Sequence, residues 1–584
     1  MKNNKIASHV FIGVIALCAL LLLSGWTSTK NYTNPVLGYS LNYPADMQLD
    51  TSLGNVCTVF RNQECQIEVY YQPLQKTNYQ SYVVYSNKGF LANRTDHQNC
   101  WSSKKTVHGN TVTITSWSRN KLKNVENDFN YYYTADIRKS STEAYSIFIK
   151  SSRDISQDGK YLNVINSFRC QQPKGANNPV SFKETAEQSQ QRISRLNLET
   201  KYLLDTYFRD DAPLTWGIFE PTAPADPTKL MKLEQQMGQR FKFILYYHNL
   251  FGTTPVETVA KNLQNAYDNG YIVELTLQTG DYNKDNAMYD ILSGECDAYL
   301  QRYAQAVARF EHPVLLRFAN EMNGDWCIYS AWHTSKDTEI YKKCYRYIHD
   351  IFEKNGANNV LWVWNPNEKS FPDFTWNAME MYYPGNEYVD IVGLTGYNTG
   401  TYYNGETWRS FDQIYSKMYA KYQQMFSQPL MITEFACSSI GGDKAAWIAD
   451  MFQQLPKYPD IKVAIWWNGC DWAVPGEVPA RPYWVNENEQ TLNSFKAGWA
   501  AQTAALKAKE EAAQAKTEQQ AEAAVTATEA QQKNLQGNGI DTDKSIMPAA
   551  EESAVVETAV DENTDKMTAQ EEITACANIQ EALV

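Results

Sequence analysis

From Thr215 onward, short apolar runs of strand character alternate with amphipathic stretches of helical period. The runs are TWGIFEP from Thr215, FKFILYYHN from Phe241, YIVELTLQT from Tyr271, PVLLRFANE from Pro313, NVLWVWNPN from Asn359, VDIVGLTGYN from Val389, PLMITEF from Pro429 and IKVAIWWNG from Ile461. Between them, VETVAKNLQNAYDN, CDAYLQRYAQAVARFE and TEIYKKCYRYIHDIFEKN repeat apolar residues at helical spacing. Eight strands alternating with helices over residues 201–500 predict an α/β fold, a (β/α)8 TIM barrel. A doubly wound open sheet has similar length, but no Gly-rich phosphate loop opens the first unit, and polar and aromatic residues crowd the ends of strands four to eight.

Residues 31–172 read differently. TVTITSWS, DFNYYYTADI and YSIFIKSS are β-branched, aromatic and punctuated by turn residues, which predicts a smaller β-rich (α+β) accessory domain. Residues 173–200 supply a linker and a lead-in helix. Beyond residue 500 the chain becomes Ala, Glu, Gln and Lys without a large-apolar stripe, so residues 501–584 form an acidic tail, helical or disordered. At the other end, a basic start and a 14-residue apolar stretch from Val10 to Leu23 mark residues 1–30 as a signal peptide. That stretch is short of the ~20 apolar residues that span a bilayer, so the expected address is secreted or cell-surface, membrane-anchored only if uncleaved. Trp26 stands where a lipid-anchored chain would carry cysteine.

Net charge of −13 changes little once located: residues 501–584 hold 16 Asp/Glu against 6 Lys/Arg. The rest is nearly neutral, and a nucleic-acid partner is not expected. Cys57, Cys65, Cys100 and Cys170 form an even set that permits two disulfides in three connectivities. There is no CxxC pair and no HExxH, and the histidines do not cluster, so neither a metal nor a cofactor is expected. The 38 Tyr, 22 Phe and 16 Trp suit sugar stacking as well as an ordinary large core.

The chemistry lies in two strand ends. PVLLRFANE stops on Glu321 and PLMITEF reaches Glu434. By the period-2 rule Arg317, Ala319 and Glu321 share one face, as do Leu430, Ile432 and Glu434. In a parallel barrel the two carboxyls then meet at the C-terminal mouth, the equipment for cleaving a glycosidic bond.

Over Leu214 to Trp499 the chain resembles glycoside hydrolase family 26. The resemblance rests on Arg317-x-x-x-Glu321-Met322-Asn323-Gly324 with Trp326, Trp362-x-Trp364-Asn365-Pro366-Asn367, Asp390-x-x-Gly393-x-x-Gly396-Tyr397-Asn398, and Thr433-Glu434-Phe435. It implies a retaining β-glycanase with Glu321 as acid/base and Glu434 as nucleophile, about 5 Å apart. It further implies that Tyr397 hydrogen-bonds the nucleophile and that Arg317 lies deeper on the face of Glu321. Trp326, Trp364, Trp466, Trp467 and Trp472 fall at or beyond strand ends, where one or two form a sugar platform; Trp326, Trp466 and Trp467 are the candidate substrate contacts. Asp325 and Asn398 are candidate cleft residues, and His248 and His333 candidate hydroxyl contacts.

One position departs from the pattern. Mannan-cleaving members usually have His before the acid/base, whereas this chain has Asn320, as gluco-configured relatives do. The expected substrate is therefore a β-1,3-1,4-glucan, with mannan as the alternative. A surface polysaccharide-binding protein on an inactive barrel is the competing class, and transglycosylation would use the same residues. The expected partner is a polysaccharide, with the N-terminal domain a candidate for cell-envelope association and the chain a monomer.

Overall fold

The computed structural model describes residues 28–537 apart from 76, 177, 281 and 283–285. The expected signal stretch lies outside the described residues, within which no helix is long and apolar enough to cross a membrane.

The N-terminal domain is built on an antiparallel seven-stranded sheet. In chain order its strands are β3 (Gln48–Asp50), β4 (Thr58–Arg61), β5 (Cys65–Pro73), β6 (Gln98–Val107), β7 (Asn110–Ser118), β8 (Tyr131–Arg138) and β9 (Glu143–Ser151), arranged β3-β4-β5-β9-β8-β7-β6. A second sheet of β1 (Thr29–Asn34), β2 (Tyr39–Pro44) and β10 (Arg169–Cys170), with helix α2 (Gly159–Ser167), covers one face through Tyr39, Tyr161 and Phe168. The other face carries Trp117, Tyr132 and Phe148, packed with α1 (Tyr79–Ala92) into a core continuous with the outer layer of the barrel. Cys57 belongs to this second core and Cys65 to the first, on opposite sides of the sheet, and neither they nor Cys100 and Cys170 are disulfide-bonded.

The expected linker is pinned rather than free. Asn178 O accepts from Asn55 N, Val180 is buried, and the Phe182 ring stacks on Tyr383 at 4.5 Å. Helices α3 (Ala186–Ser194) and α4 (Leu198–Phe208) follow, and α4 closes the bottom of the barrel with Leu203 and Phe208 against Phe243.

All eight expected strands form and close a parallel barrel: β11 (Thr215–Phe219), β12 (Phe243–Asn249), β13 (Ile272–Gln278), β14 (Val314–Phe318), β15 (Val360–Trp364), β16 (Ile391–Thr395), β17 (Leu430–Phe435) and β18 (Ile461–Trp467). The outer helices are α5 (Thr228–Met237), α6 (Val256–Asp268), α7 (Ala287–Leu292), α8 (Asp297–Phe310), α9 (Thr338–Lys354), α10 (Phe411–Met425) and α11 (Lys444–Gln454). Among the described residues only short 3-10 turns connect β15 to β16. A hairpin, β19 (Cys470–Val474) and β20 (Val478–Pro482), follows β18, and α12 (Glu489–Gly537) ends the described chain. Phe495 and Trp499 anchor α12, and Gln502 accepts from Trp216 Nε1 at 2.7 Å, so contact reaches just into the expected tail.

Inside the barrel the lower layer is apolar, with Leu245, Leu315, Val363, Met431 and Ile465. Toward the C-terminal mouth the inward positions turn polar. Gly393 keeps room for this change, because a Cβ there would meet Thr433 Cγ2 at 2.6 Å and Asn365 Cβ at 2.8 Å.

Candidate active site

Glu321 and Glu434 line one cleft of ≈ 1050 Å³ at the C-terminal mouth. They arrive there by routes that simple alternation does not describe. On β17, Leu430 and Ile432 pack outward against the helices and Met431 points inward, so strict period 2 would turn Glu434 out. A register shift between Ile432 and Phe435 breaks the alternation and brings Glu434 into the cleft, a use of the β-bulge to re-aim a side chain. On β14 the strand ends at Phe318. Ala319 (φ 50°) and Glu321 (φ 55°) then adopt left-handed backbone, and Ala319 joins the outer core rather than the face of Arg317. Such non-glycine conformations cost of order 1–2 kcal/mol each and cluster where geometry is imposed by function. Ala319 N donates to Leu277 O and Glu321 N to Asn365 O, which hold the kink.

Beneath the cleft lies a buried ionic network. Arg317, fully buried, donates from Nε to Thr276 Oγ1 (2.8 Å) and from Nη1 to Asn365 Oδ1 (2.9 Å), and its Nη2 stands 3.5 Å from Glu434 Oε2. Glu274 Oε1 lies 2.8 Å from Arg317 Nε, yet neither oxygen of Glu274 has a hydrogen-bond partner among the described residues. Burial pushes the Glu274 carboxyl up to about 8, against the pull of Arg317. Arg317 therefore works as a support for Glu434 from below and does not line the cleft.

The tyrosine that donates to Glu434 Oε2 is Tyr247, at the inward end of β12. Tyr397 lines the cleft instead, with its ring 5.1 Å from Tyr483 and 6.4 Å from Trp467. Sequence reading missed Tyr247, although Phe243, Leu245 and Tyr247 alternate along one face.

Glu321 is half-buried and holds two donors: Asn367 Nδ2 on Oε1 at 2.5 Å and Trp326 Nε1 on Oε2 at 3.3 Å. Burial, reinforced by the neighbouring charge of Glu434, pushes its carboxyl up to about 7. Asn323 clamps Asn367 from behind, accepting from Asn367 N (2.8 Å) and donating to Asn367 O (3.1 Å). Gly324 allows the Trp326 indole to fold close, since a Cβ there would lie 2.5 Å from the ring.

Asn320 lines the cleft. Its amide oxygen accepts from Gln278 Nε2 (2.9 Å) and Tyr329 OH (3.3 Å), which directs its Nδ2 donor to the remaining side. Trp467 also lines the cleft, stacked on Phe219 at 5.1 Å, and Trp326 does so while 53% exposed. Trp466 does not. Adjacent strand residues point to opposite faces, so Trp466 turns outward into the core, against Phe435 and Phe495, with Nε1 bonded to Tyr483 O. Trp364 is likewise core, and Trp472 packs on Trp484 outside the cleft lining.

Of the lesser candidates, Asp325 lines the cleft and accepts from Tyr85 OH at 2.6 Å. Asn398 is scaffold, accepting from Arg409 N, and neither His248, packed on Tyr303, nor His333, bonded to Asp325 O, lines the cleft. Asp390 sits at the opposite end of β16, paired with Arg192 and Arg195 of the lead-in segment. Among the described residues no cluster of His, Cys, Asp and Glu could hold a metal ion.

Residues 245–437 match the family model described as Glycosyl hydrolase family 26. Among curated proteins, Endoglucanase H of Acetivibrio thermocellus is 32% identical over 265 residues, 44% of this chain and 28% of that protein. A mannan endo-1,4-beta-mannosidase of Bacillus subtilis strain 168 is 30% identical over 175 residues, covering 28% of this chain and 42% of the relative. The matched stretch thus spans less than half the length of either relative. A solved Bacillus subtilis mannanase aligns with 50% of this chain and 91% of its own at 21% identity and a TM-score of 0.36. The matched residues run from within β12 past β17 and contain Tyr247, Glu321, Asn367 and Glu434, so the part of the barrel that carries both glutamates is similar to glycosyl hydrolase family 26.

Proposed function

We propose that the chain is an endo-acting β-glycanase that hydrolyses a neutral β-linked polysaccharide with retention of configuration. The observation that carries this reading is the pair of glutamates facing one cleft in unlike surroundings, one braced by Arg317 and Tyr247, the other poised near neutrality. Glu434 attacks the anomeric carbon while Glu321 gives its proton to the departing glycosidic oxygen. In the second half Glu321, now a base, takes a proton from water, whose oxygen displaces Glu434 from the same carbon. Trp326 and Trp467 offer indole faces to sugar C–H surfaces. The N-terminal sequence further supports action outside the cytoplasm.

A gluco-configured polymer, a β-1,3-1,4-glucan, is the preferred substrate. Asn320 supports this, because its free donor adjoins the acid/base, where a contact to the 2-hydroxyl strengthens in the transition state. Similarity to an endoglucanase points the same way, whereas the mannosidase relatives support a mannan. The test is kcat/KM on barley-type β-glucan against galactomannan; a higher value on galactomannan reverses the assignment. Glu434→Ala removes turnover, and added azide restores cleavage with inverted stereochemistry as a small anion replaces the nucleophile. Azide rescue with retained stereochemistry removes Glu434 from that role.

A further inference from the structure

The cleft does not end at Glu321. Asn367, Glu368 and Lys369 line it and also begin a second groove of ≈ 940 Å³. One wall of that groove is barrel, through Ser370, Pro372 and Thr375. The other is the N-terminal domain, through Gln72, Gln75 and the exposed face of α1. Helical spacing sets Gln80, Ser81, Val84 and Tyr85 on that face, while Tyr79, Tyr82, Val83 and Phe90 bury the opposite one.

The wall is fixed to the catalytic loops. Tyr85 OH donates to Asp325 beside Trp326, and Trp332 Nε1 donates to Tyr85 O at 3.0 Å. On the facing side Thr375 N donates to Gln72 Oε1 (2.7 Å) and Thr375 Oγ1 to Tyr71 O (2.8 Å). Exposed rings of Trp326 and Phe371, 5.3 Å apart, stand at the junction, with exposed Val84 and Tyr85 beyond. Lys421 is paired with Glu380, and Glu368 with Arg409 and, at 3.8 Å, Lys369, so of the lining charges Asp373 is the further carboxylate among amides, hydroxyls and apolar faces. That surface suits a neutral sugar chain better than an anion.

The direction follows from the two glutamates. Neither glutamate lines the second groove, but Asn367, which donates to Glu321, lines both, so the groove opens on the Glu321 side. Attack by Glu434 expels the glycosidic oxygen toward Glu321, so sugars beyond Glu321 belong to the leaving group. We propose that the N-terminal domain completes the leaving-group half of the substrate cleft, holding backbone sugars of a neutral β-linked polysaccharide between α1 and residues 369–375. This rests on the hydrolase reading above.

The test uses the full chain carrying Val84→Trp, which fills the groove from an exposed helix position, and separately Gln80→Ala, which only removes an amide. Each is assayed on barley-type β-glucan and on 4-nitrophenyl β-cellotrioside, whose aryl leaving group is too short to enter the groove. The expected result is a ratio of polymer to aryl-glycoside kcat/KM at least fivefold lower in Val84→Trp and about twofold lower in Gln80→Ala. An unchanged ratio in Val84→Trp overturns the proposal, whether or not both activities fall together. Calorimetric titration of the Glu434→Ala chain with cellohexaose and mannohexaose, with and without Val84→Trp, separates the two readings. Weakening of at least fivefold supports the groove even if the parent chain cleaves nothing, an outcome that would sink the hydrolase reading alone; equal affinity, or no binding of either sugar, overturns the groove.

Discussion

Glu321 keeps a proton near neutrality because burial and the charge of Glu434 oppose its ionisation, while the donors Asn367 and Trp326 favour it. The alkaline limb of kcat/KM is therefore expected near pH 7. In Asn367→Ala one donor to the charged form is gone, so the limb moves to higher pH; a limb that moves down or stays would remove Asn367 from this role. Glu321→Ala is expected to slow substrates with poor leaving groups far more than activated aryl glycosides, whose departure needs little protonation. Tyr247 acts on the other carboxyl. A hydrogen bond to a charged group contributes about 1.5–3 kcal/mol, so Tyr247→Phe should lower kcat by roughly 10- to 150-fold with the fold intact by circular dichroism. Tyr397→Phe tests the alternative: if it costs kcat as much as Tyr247→Phe does, the hydrogen bond on Glu434 is not what matters.

At the scale of elements, the eight strands and the meeting of Glu321 and Glu434 at one cleft were legible because apolar runs and motif order survive any local distortion. How the glutamates reach the cleft was not. Alternation puts Glu434 with Leu430 and Ile432, and only a bulge, which leaves no reliable mark in residue types, moves it to the inner side. The left-handed turn at Ala319 and Glu321 is equally silent, since neither is glycine. Tyr247 was missed for another reason: it closes an ordinary alternating strand, and only the closed barrel carries β12 to face β17. Trp466 stands at a strand end, but its parity, opposite to that of Trp467, turns it into the core. The kink yields its own expectation. Ala319→Gly relieves left-handed strain and should keep activity while raising stability by up to about 1 kcal/mol. Ala319→Val puts a β-branched side chain at positive φ in a full core and should lower both thermal midpoint and kcat. Val tolerated as well as Gly would show that the turn is unstrained.

The N-terminal domain and the barrel are held together, because the loops after β14 and β15 that carry Glu321 and Asn367 lean on the N-terminal domain. Thr375 and Trp376 bond to Tyr71, Gln72 and Ser86, and His97 reaches Tyr289 and Ser335. At the centre of the interface Lys150, fully buried, contacts Glu68 at 2.7 Å and Asp337 at 2.6 Å, while Tyr132 OH donates to Asp337. Asp337 also caps α9 through Glu339 N. Among the described residues the helix is exposed from 507 to 528 and has no such ties, so removing residues 508–584 should leave thermal midpoint and activity unchanged. The interface should behave in the opposite way. One continuous apolar core runs from Trp117 and Phe148 to the barrel helices, so urea unfolding should show a single transition in which both domains melt together. Asp337→Ala removes one partner of a buried ion pair and a helix cap at once, and breaking such a pair costs about 3–5 kcal/mol. Hydrogen exchange in that variant should rise in β8, β9 and α9 alike, and kcat should fall with stability because the loop bearing Glu321 loses its footing. Two separate transitions in the parent chain, or faster exchange confined to one side of the interface, would mean that the domains fold independently.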